Sequence, residues 1–249
     1  MEVKYHHDPQ MHNTTAAREV VPIVMELVKP LSVIDVGCGI GTWLSVFQQA
    51  GAKEILGVDG EYVDRMLLHI SEEHFVAVDL IQPFRYDKKF DLVVSLEVAE
   101  HLPESAADTL VGTLVSLGNT ILFSAAIPGQ GGQNHLNEQW PGYWQEKFSK
   151  HGFHFHDAIR QKIWHNPNIE WWYRQNLYLV TNRIDLPRPI ETSLDVIHPE
   201  MMKHHMNGLN LQLTHTDKVL NDNVEGIIGI KQSMVILRKA IARKLFHND

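Results

Sequence analysis

The most constraining feature of this chain is the run Val33-Ile-Asp-Val-Gly-Cys-Gly-Ile-Gly-Thr42. Five residues of a buried strand, Ser32 to Val36, lead into glycines at 37, 39 and 41, and Thr42 to Ala50 has the pattern of a helix. Glycines let the backbone turn sharply and let a ligand approach the main chain. The N–H groups at the start of the following helix are expected to favour a polar or anionic ligand group. A strand, a glycine loop and a helix in this order predict a parallel α/β sheet with a ligand at the carboxyl ends of its strands.

Two carboxylates strengthen that expectation. Asp59 closes the strand Glu54 to Val58, 18 residues after Gly41, where a carboxylate accepts from both hydroxyls of a ribose. Asp79 closes the next strand, His74 to Val78. The dinucleotide fingerprint of a nicotinamide enzyme requires G-x-G-x-x-G, which would place its third glycine at position 42, where this chain has Thr42. The spacing here is G-x-G-x-G preceded by Asp35, which disfavours a nicotinamide oxidoreductase.

The rest of the chain supplies the remaining layers. Helices are expected over 14–29, capped by Thr14 or Thr15 with Pro22 shifting the start, over 62–70, over 104–117 and over 139–151. Strands are expected over 90–96, 120–126, 153–163 and 176–181. Seven strands alternating with helices predict a doubly wound sheet with an antiparallel addition at one edge. Beyond Asn182 the character changes. Leu186-Pro-Arg-Pro189 reads as a boundary, 199–212 is rich in His, Met and Asn, and 229–246 reads as a helix with a basic end. That gives a domain over 1–184 and a C-terminal helical extension over 185–249. The last helix suits docking or homo-oligomerisation, with a membrane-surface role as the alternative.

Composition excludes several classes. A net charge of −8 gives no bulk attraction to nucleic acid or an anionic membrane. The single cysteine, Cys38, rules out an internal disulfide framework and a cysteine-based zinc cluster. Inside the glycine loop it is expected to be a small structural residue and not a nucleophile. The first 13 residues contain no apolar run and nothing approaches a membrane span, so a cytoplasmic protein without stable membrane insertion is expected.

With these residues in order, the chain resembles the class I S-adenosylmethionine (SAM)-dependent methyltransferases over roughly residues 12–182. The resemblance implies a Rossmann-like seven-stranded α/β fold with SAM as cofactor. It places Asp35, Gly37, Cys38, Gly39 and Gly41 at the methionine end, Asp59 and Gly60 at the ribose, and Asp79 and Leu80 at the adenine, with Leu96 and Glu97 beside them. Phe90 to Pro103 is similar to the family's fourth motif, and the quinone O-methyltransferases are the most similar branch. The implied acceptor is a small molecule or a sugar, in natural-product or surface-glycan biosynthesis. A non-catalytic member kept as a binding or assembly subunit is the alternative.

Methyl transfer to a hydroxyl requires a group that takes the proton, and a neutral histidine suits the task. Sixteen histidines are present. Five lie in the C-terminal extension, and only His12, His101 and His135 map near the expected cleft. His101 and His135 are the candidate bases. In the quinone branch a Glu-x-x-Glu-His pattern binds a divalent cation, so Glu97, Glu100 and His101 form an alternative metal set; the other reading is a strand-end turn with no metal. The loop Ile127 to Trp140, with His135, Asn137 and Trp140, is expected to face the acceptor. So are the aromatics of 164–174, for which a dimer contact is the equal alternative. His12, Asn13 and Arg18 are expected to close over the cofactor.

Overall fold

The computed structural model describes residues 13–183, 195–224 and 234–240. The chain divides into two units, residues 1–198 and 199–249.

The first unit begins with helix α1 (Thr15–Val28). Neither expected threonine caps it: Asn13 Oδ1 accepts the N–H of Thr15 at 2.8 Å. Pro22 sits inside the helix and does not move its start. Lys29 ends it in the left-handed conformation, its N–H bonded to the Met25 carbonyl. Strand β1 (Ser32–Val36), helix α2 (Thr42–Gln49) and strand β2 (Glu54–Asp59) follow as the sequence predicts. Next come β3 (Phe75–Ala77), β4 (Leu92–Leu96), helix α3 (Ala107–Leu117), β5 (Thr120–Ser124), helix α4 (Pro141–Ser149) and β6 (His154–His156). Short helices α5 (Arg160–Ile163) and α6 (Trp171–Asn176) precede β7 (Tyr178–Thr181).

The seven strands form one sheet in the order β3-β2-β1-β4-β5-β7-β6. The pairs from β3 to β5 are parallel, and β7 runs antiparallel to both β5 and β6. The antiparallel strand is therefore one place in from the edge, not at the edge itself. Asp91 aligns the starts of β1 and β4: its Oδ2 accepts the N–H groups of Leu31 and Ser32, both at 2.9 Å.

Side-chain alternation explains why both faces are covered. Val33, Leu92, Val94, Leu122 and Leu179 pack on one face with α1, α2 and the β6–β7 connection. Ile34, Val36, Val93, Ile121, Phe123 and Val180 face the other way, towards α3 and α4. Successive residues of a strand point to opposite faces, so near-continuous apolar strands need two helical layers. Phe123 is the centre of the second layer, with Trp144, Phe148 and Phe155 rings at 5.6, 5.2 and 6.1 Å.

Two elements differ from expectation. Of 62–70, only Arg65–Leu67 forms a 3-10 turn, because Asp64 bonds the Met66 N–H and Tyr62 bonds Asp59; such local bonds compete with a helix. The expected strand 153–163 stops at His156. Asp157 pairs with Arg160 at 2.5 Å, and Arg160 Nη1 donates to the Gln175 carbonyl at 3.0 Å, so the chain turns into α5.

The second unit contains α7 (Pro199–Val224), 26 residues long. Met202, Met206, Leu209 and Leu213 are exposed along it at helical spacing. Of the helix expected over 229–246, residues 234–240 are helical and the remainder lies outside the described residues. Among the described residues, no helix is long and apolar enough to cross a membrane.

Candidate active site

The glycine loop connects β1 to α2 and uses its own amides to do so. Gly37 and Cys38 N–H both donate to the Val58 carbonyl, Gly41 N–H to the Cys38 carbonyl, and Gly39 N–H to Asp59 Oδ2 at 2.7 Å. Three of these amides tie the loop to the end of β2, and that of Gly41 closes a turn within the loop. Gly37 has φ +86°, and a Cβ there would lie 2.3 Å from Val98 Cγ2. Gly37→Ala adds a left-handed strain to a clash, and is expected to cost about 2 kcal/mol of stability, read from a denaturant melt. Cys38 is buried, and burial followed by the charge of Asp35 pushes its thiol well above the ordinary value, consistent with an inert residue.

Above the loop lies a cavity of about 890 Å³ at the carboxyl ends of β1, β2, β3 and β4. Asp59, 3% exposed, stands in its wall. Its Oδ1 accepts from Gly60 N–H and the Tyr62 hydroxyl, both at 2.6 Å. Asp35, Gly37, Cys38, Gly39, Gly60, Asp79, Leu80, Leu96, Glu97 and His101 also line the cavity. Asp79 Oδ1 accepts the Ile81 N–H and is otherwise turned to solvent. Gly41 is not on the wall; it closes the turn against Ile70.

Glu97 has a positive φ, +54°. A non-glycine residue held there stores strain of about 1–3 kcal/mol and persists only when its neighbours enforce it. Its N–H donates to the Ser124 carbonyl and hydroxyl, each at 3.1 Å. Gln130 Nε2 donates to Oε2 at 2.6 Å and Asn176 Nδ2 to Oε1 at 3.4 Å. Burial raises its pKa, and these bonds work against the rise.

Glu100 is fully buried, and neither carboxyl oxygen finds a hydrogen-bond partner among the described residues. Burial first, and the neighbouring Glu97 charge second, push it well above the carboxylate range. A raised native pKa means the folded state holds a proton that the unfolded state releases. Stability is then fully present below the unfolded value and falls as pH rises through it towards the native value. Glu100→Gln is expected to raise the melting temperature at pH 8 and leave it unchanged at pH 4, measured by calorimetry.

His101 and His135 pack edge to face, with ring centroids 4.9 Å apart. Only His101 lines the cavity; Asn134 and Leu136 flank it from the loop. Burial and then His135 lower the His101 pKa to about 4, so its ring is neutral at pH 7. His135 Nδ1 bonds Glu138 Oε1 at 2.8 Å, and Glu138 also accepts from Gly129 N–H and Gly131 N–H. Burial disfavours the Glu138 charge, but these bonds hold its pKa below the ordinary value. Glu138 was not foreseen, although it lies three residues beyond His135. Asn137 is buried behind the wall and Trp140 lies off it. Asn13 lines the cavity, Arg18 does not, and His12 lies outside the described residues. Of the 164–174 aromatics, Tyr173 reaches the wall and Trp164, Trp171 and Trp172 do not; Glu170, Trp43 and Tyr62 join it unforeseen. Polar and aromatic residues scattered over separate connections carry no spacing signal.

A doubly wound sheet with carboxylates at the end of β2 and just beyond β3, both lining one cavity, fits the architecture of a class I methyltransferase. Residues 9–216 match the family described as a methyltransferase domain. The chain is 28% identical over 134 residues to the mitochondrial ubiquinone biosynthesis O-methyltransferase of Dictyostelium discoideum, covering 46% of this chain and 40% of that protein. It is 28% identical over 106 residues to the magnesium-protoporphyrin O-methyltransferase of Synechocystis, covering 39% and 45%. The matched parts thus span less than half of either relative. Among solved structures, Streptomyces venezuelae DesVI aligns with TM-score 0.53 at 12% identity, over 72% of this chain and all of that one, a likeness of fold. The chain belongs to the SAM-dependent methyltransferase family.

Proposed function

We propose that this protein is a SAM-dependent O-methyltransferase acting on a small-molecule hydroxyl. The observation that carries the reading is one cavity holding both the cofactor carboxylates, Asp59 and Asp79, and a neutral imidazole, His101. SAM, when bound, supplies an activated methyl group. Asp59 would accept from the ribose hydroxyls, Asp79 with Leu80 would hold the adenine, and the glycine loop would support the methionine end. In transfer the acceptor oxygen would bond to the methyl carbon, the S–CH3 bond would break and S-adenosylhomocysteine would leave. His101 is placed to take the acceptor hydroxyl's proton at a ring nitrogen. The hydrogen-bonded pair of His135 and Glu138 stands beside it. Positioning of donor and acceptor supplies most of the acceleration. A sugar hydroxyl is the finer reading of the acceptor, supported by the polar and aromatic wall of Asn13, Asn134 and Tyr173. Calorimetry with S-adenosylhomocysteine, followed by transfer of labelled methyl to phenolic and sugar acceptors, tests it. A folded protein that binds no S-adenosylhomocysteine refutes it.

A second reading has its own observation. Glu100, His101 and His135 each offer a ligand atom, and these atoms lie within 4.8 Å of one another. Two imidazoles and a buried carboxylate suit a divalent transition ion. Glu97 is not in this set, since Gln130 and Asn176 hold its oxygens. Under this reading a chelator abolishes turnover and lowers the melting temperature; unchanged turnover in excess chelator eliminates it.

A further inference from the structure

Glu170 lies in the cavity wall, in the connection between β6 and β7, immediately before α6. Its Oε2 is buried and finds no hydrogen-bond partner among the described residues. The obvious local use of such a side chain is to cap α6, and it does not do so. Arg174, one turn on, directs Nη1 to the Trp164 carbonyl at 3.3 Å. Partial burial raises the Glu170 pKa, and the nearby Arg174 charge works against the rise. A buried acceptor left unpaired is costly, and a ligand donor removes that cost.

The connection is held in place. Asn166 and Asn168 donate to Glu19 of α1 at 2.9 and 3.2 Å, and Tyr173 meets Trp43 of α2 edge-on at 5.3 Å. Glu170 is thereby fixed beside the starts of α1 and α2, where Asn13, Ala16 and Trp43 share the wall with it.

The order of the strands supplies the ligand group. Asp79 ends the outermost strand connection, Asp59 the next, and the glycine loop leaves β1. A cofactor with adenine at Asp79 and ribose at Asp59 must extend its amino-acid end past the glycine loop, away from β3 and towards α1 and α2. That end carries an ammonium with three donors. Two other carboxylates line this side of the cavity: Glu97 already has both oxygens bonded by side-chain amides, and Asp35 is buried, where desolvation and then the Asp59 charge disfavour its ionised form. We propose that Glu170 receives the α-ammonium of the cofactor's amino-acid end, so that the β6–β7 connection is part of the cofactor site. The inference rests on the cofactor reading above.

The test compares two commercial ligands, S-adenosylhomocysteine and 5′-methylthioadenosine, which lacks the amino-acid part. Both are titrated calorimetrically into the full chain and into Glu170→Gln and Glu170→Ala. Loss of a charge-assisted bond is expected to weaken S-adenosylhomocysteine about tenfold or more in both variants, with 5′-methylthioadenosine unchanged. Unchanged S-adenosylhomocysteine affinity overturns the proposal, and so does an equal loss for both ligands, which would mark a collapsed wall. If the unsubstituted chain binds neither ligand, the cofactor reading itself fails, a result distinct from these.

Discussion

Replacing His101 with alanine lowers kcat about 10²- to 10⁴-fold, the usual contribution of a positioned base, while S-adenosylhomocysteine affinity stays within about twofold, since no cofactor carboxylate is touched. The reason for choosing this histidine over His135 is position: His101 is on the cavity wall and His135 is behind it. His135→Ala removes the neighbour whose charge lowers the His101 pKa, and is expected to cost less than His101→Ala. The pH profile gives an independent reading. His101 titrates near 4, so it is in the proton-accepting form throughout the neutral range. The acid limb of kcat is therefore expected near pH 4 and not near the ordinary imidazole value. Equal kcat in the alanine variant and the parent removes His101 from the reaction.

Asp59→Ala weakens S-adenosylhomocysteine by roughly a hundredfold, about 3 kcal/mol, from the loss of two hydrogen bonds to a charged acceptor in a buried setting. The substitution also orphans the N–H groups of Gly39 and Gly60, which Asp59 accepts at 2.7 and 2.6 Å. Some of the loss is therefore loop disorder and not missing ribose contact. Asp59→Asn separates the two. It keeps one carbonyl oxygen for the loop while removing the charge, so an intermediate loss of about tenfold is expected. Calorimetry of all three proteins at the same salt measures it. An affinity unchanged in Asp59→Ala would place the ribose elsewhere.

The parts of the fold legible beforehand were those with a strong local signal. The glycine loop at 37–41 and the strand ends at Asp59 and Asp79 are contiguous or regularly spaced, and they stand where expected on one sheet. Elements decided by distant partners were misread. The stretch 153–163 looks like a strand by apolar content, yet Arg160 finds Asp157 and the Gln175 carbonyl and the chain turns. Helix α7 lies within the helical extension expected over 185–249, and Met202, Met206, Leu209 and Leu213 carry its period.

The same division holds at the site. The cofactor carboxylates are local: a residue at the end of a parallel strand points into the crevice because the strand does, and its neighbours in sequence are enough to place it. Which histidine lines the cavity, how Gln130 and Asn176 hold the Glu97 oxygens, and where Glu138 and Glu170 stand all depend on groups brought together from separate connections. Hydrogen bonds and burial act between residues adjacent in space, such as Glu97 with Asn176, 79 positions apart. The sequence by itself determined the sheet, the glycine loop and the carboxylates at its crest. Only the tertiary structure decided their partners, because a side chain's protonation and reach are set by what the fold places against it.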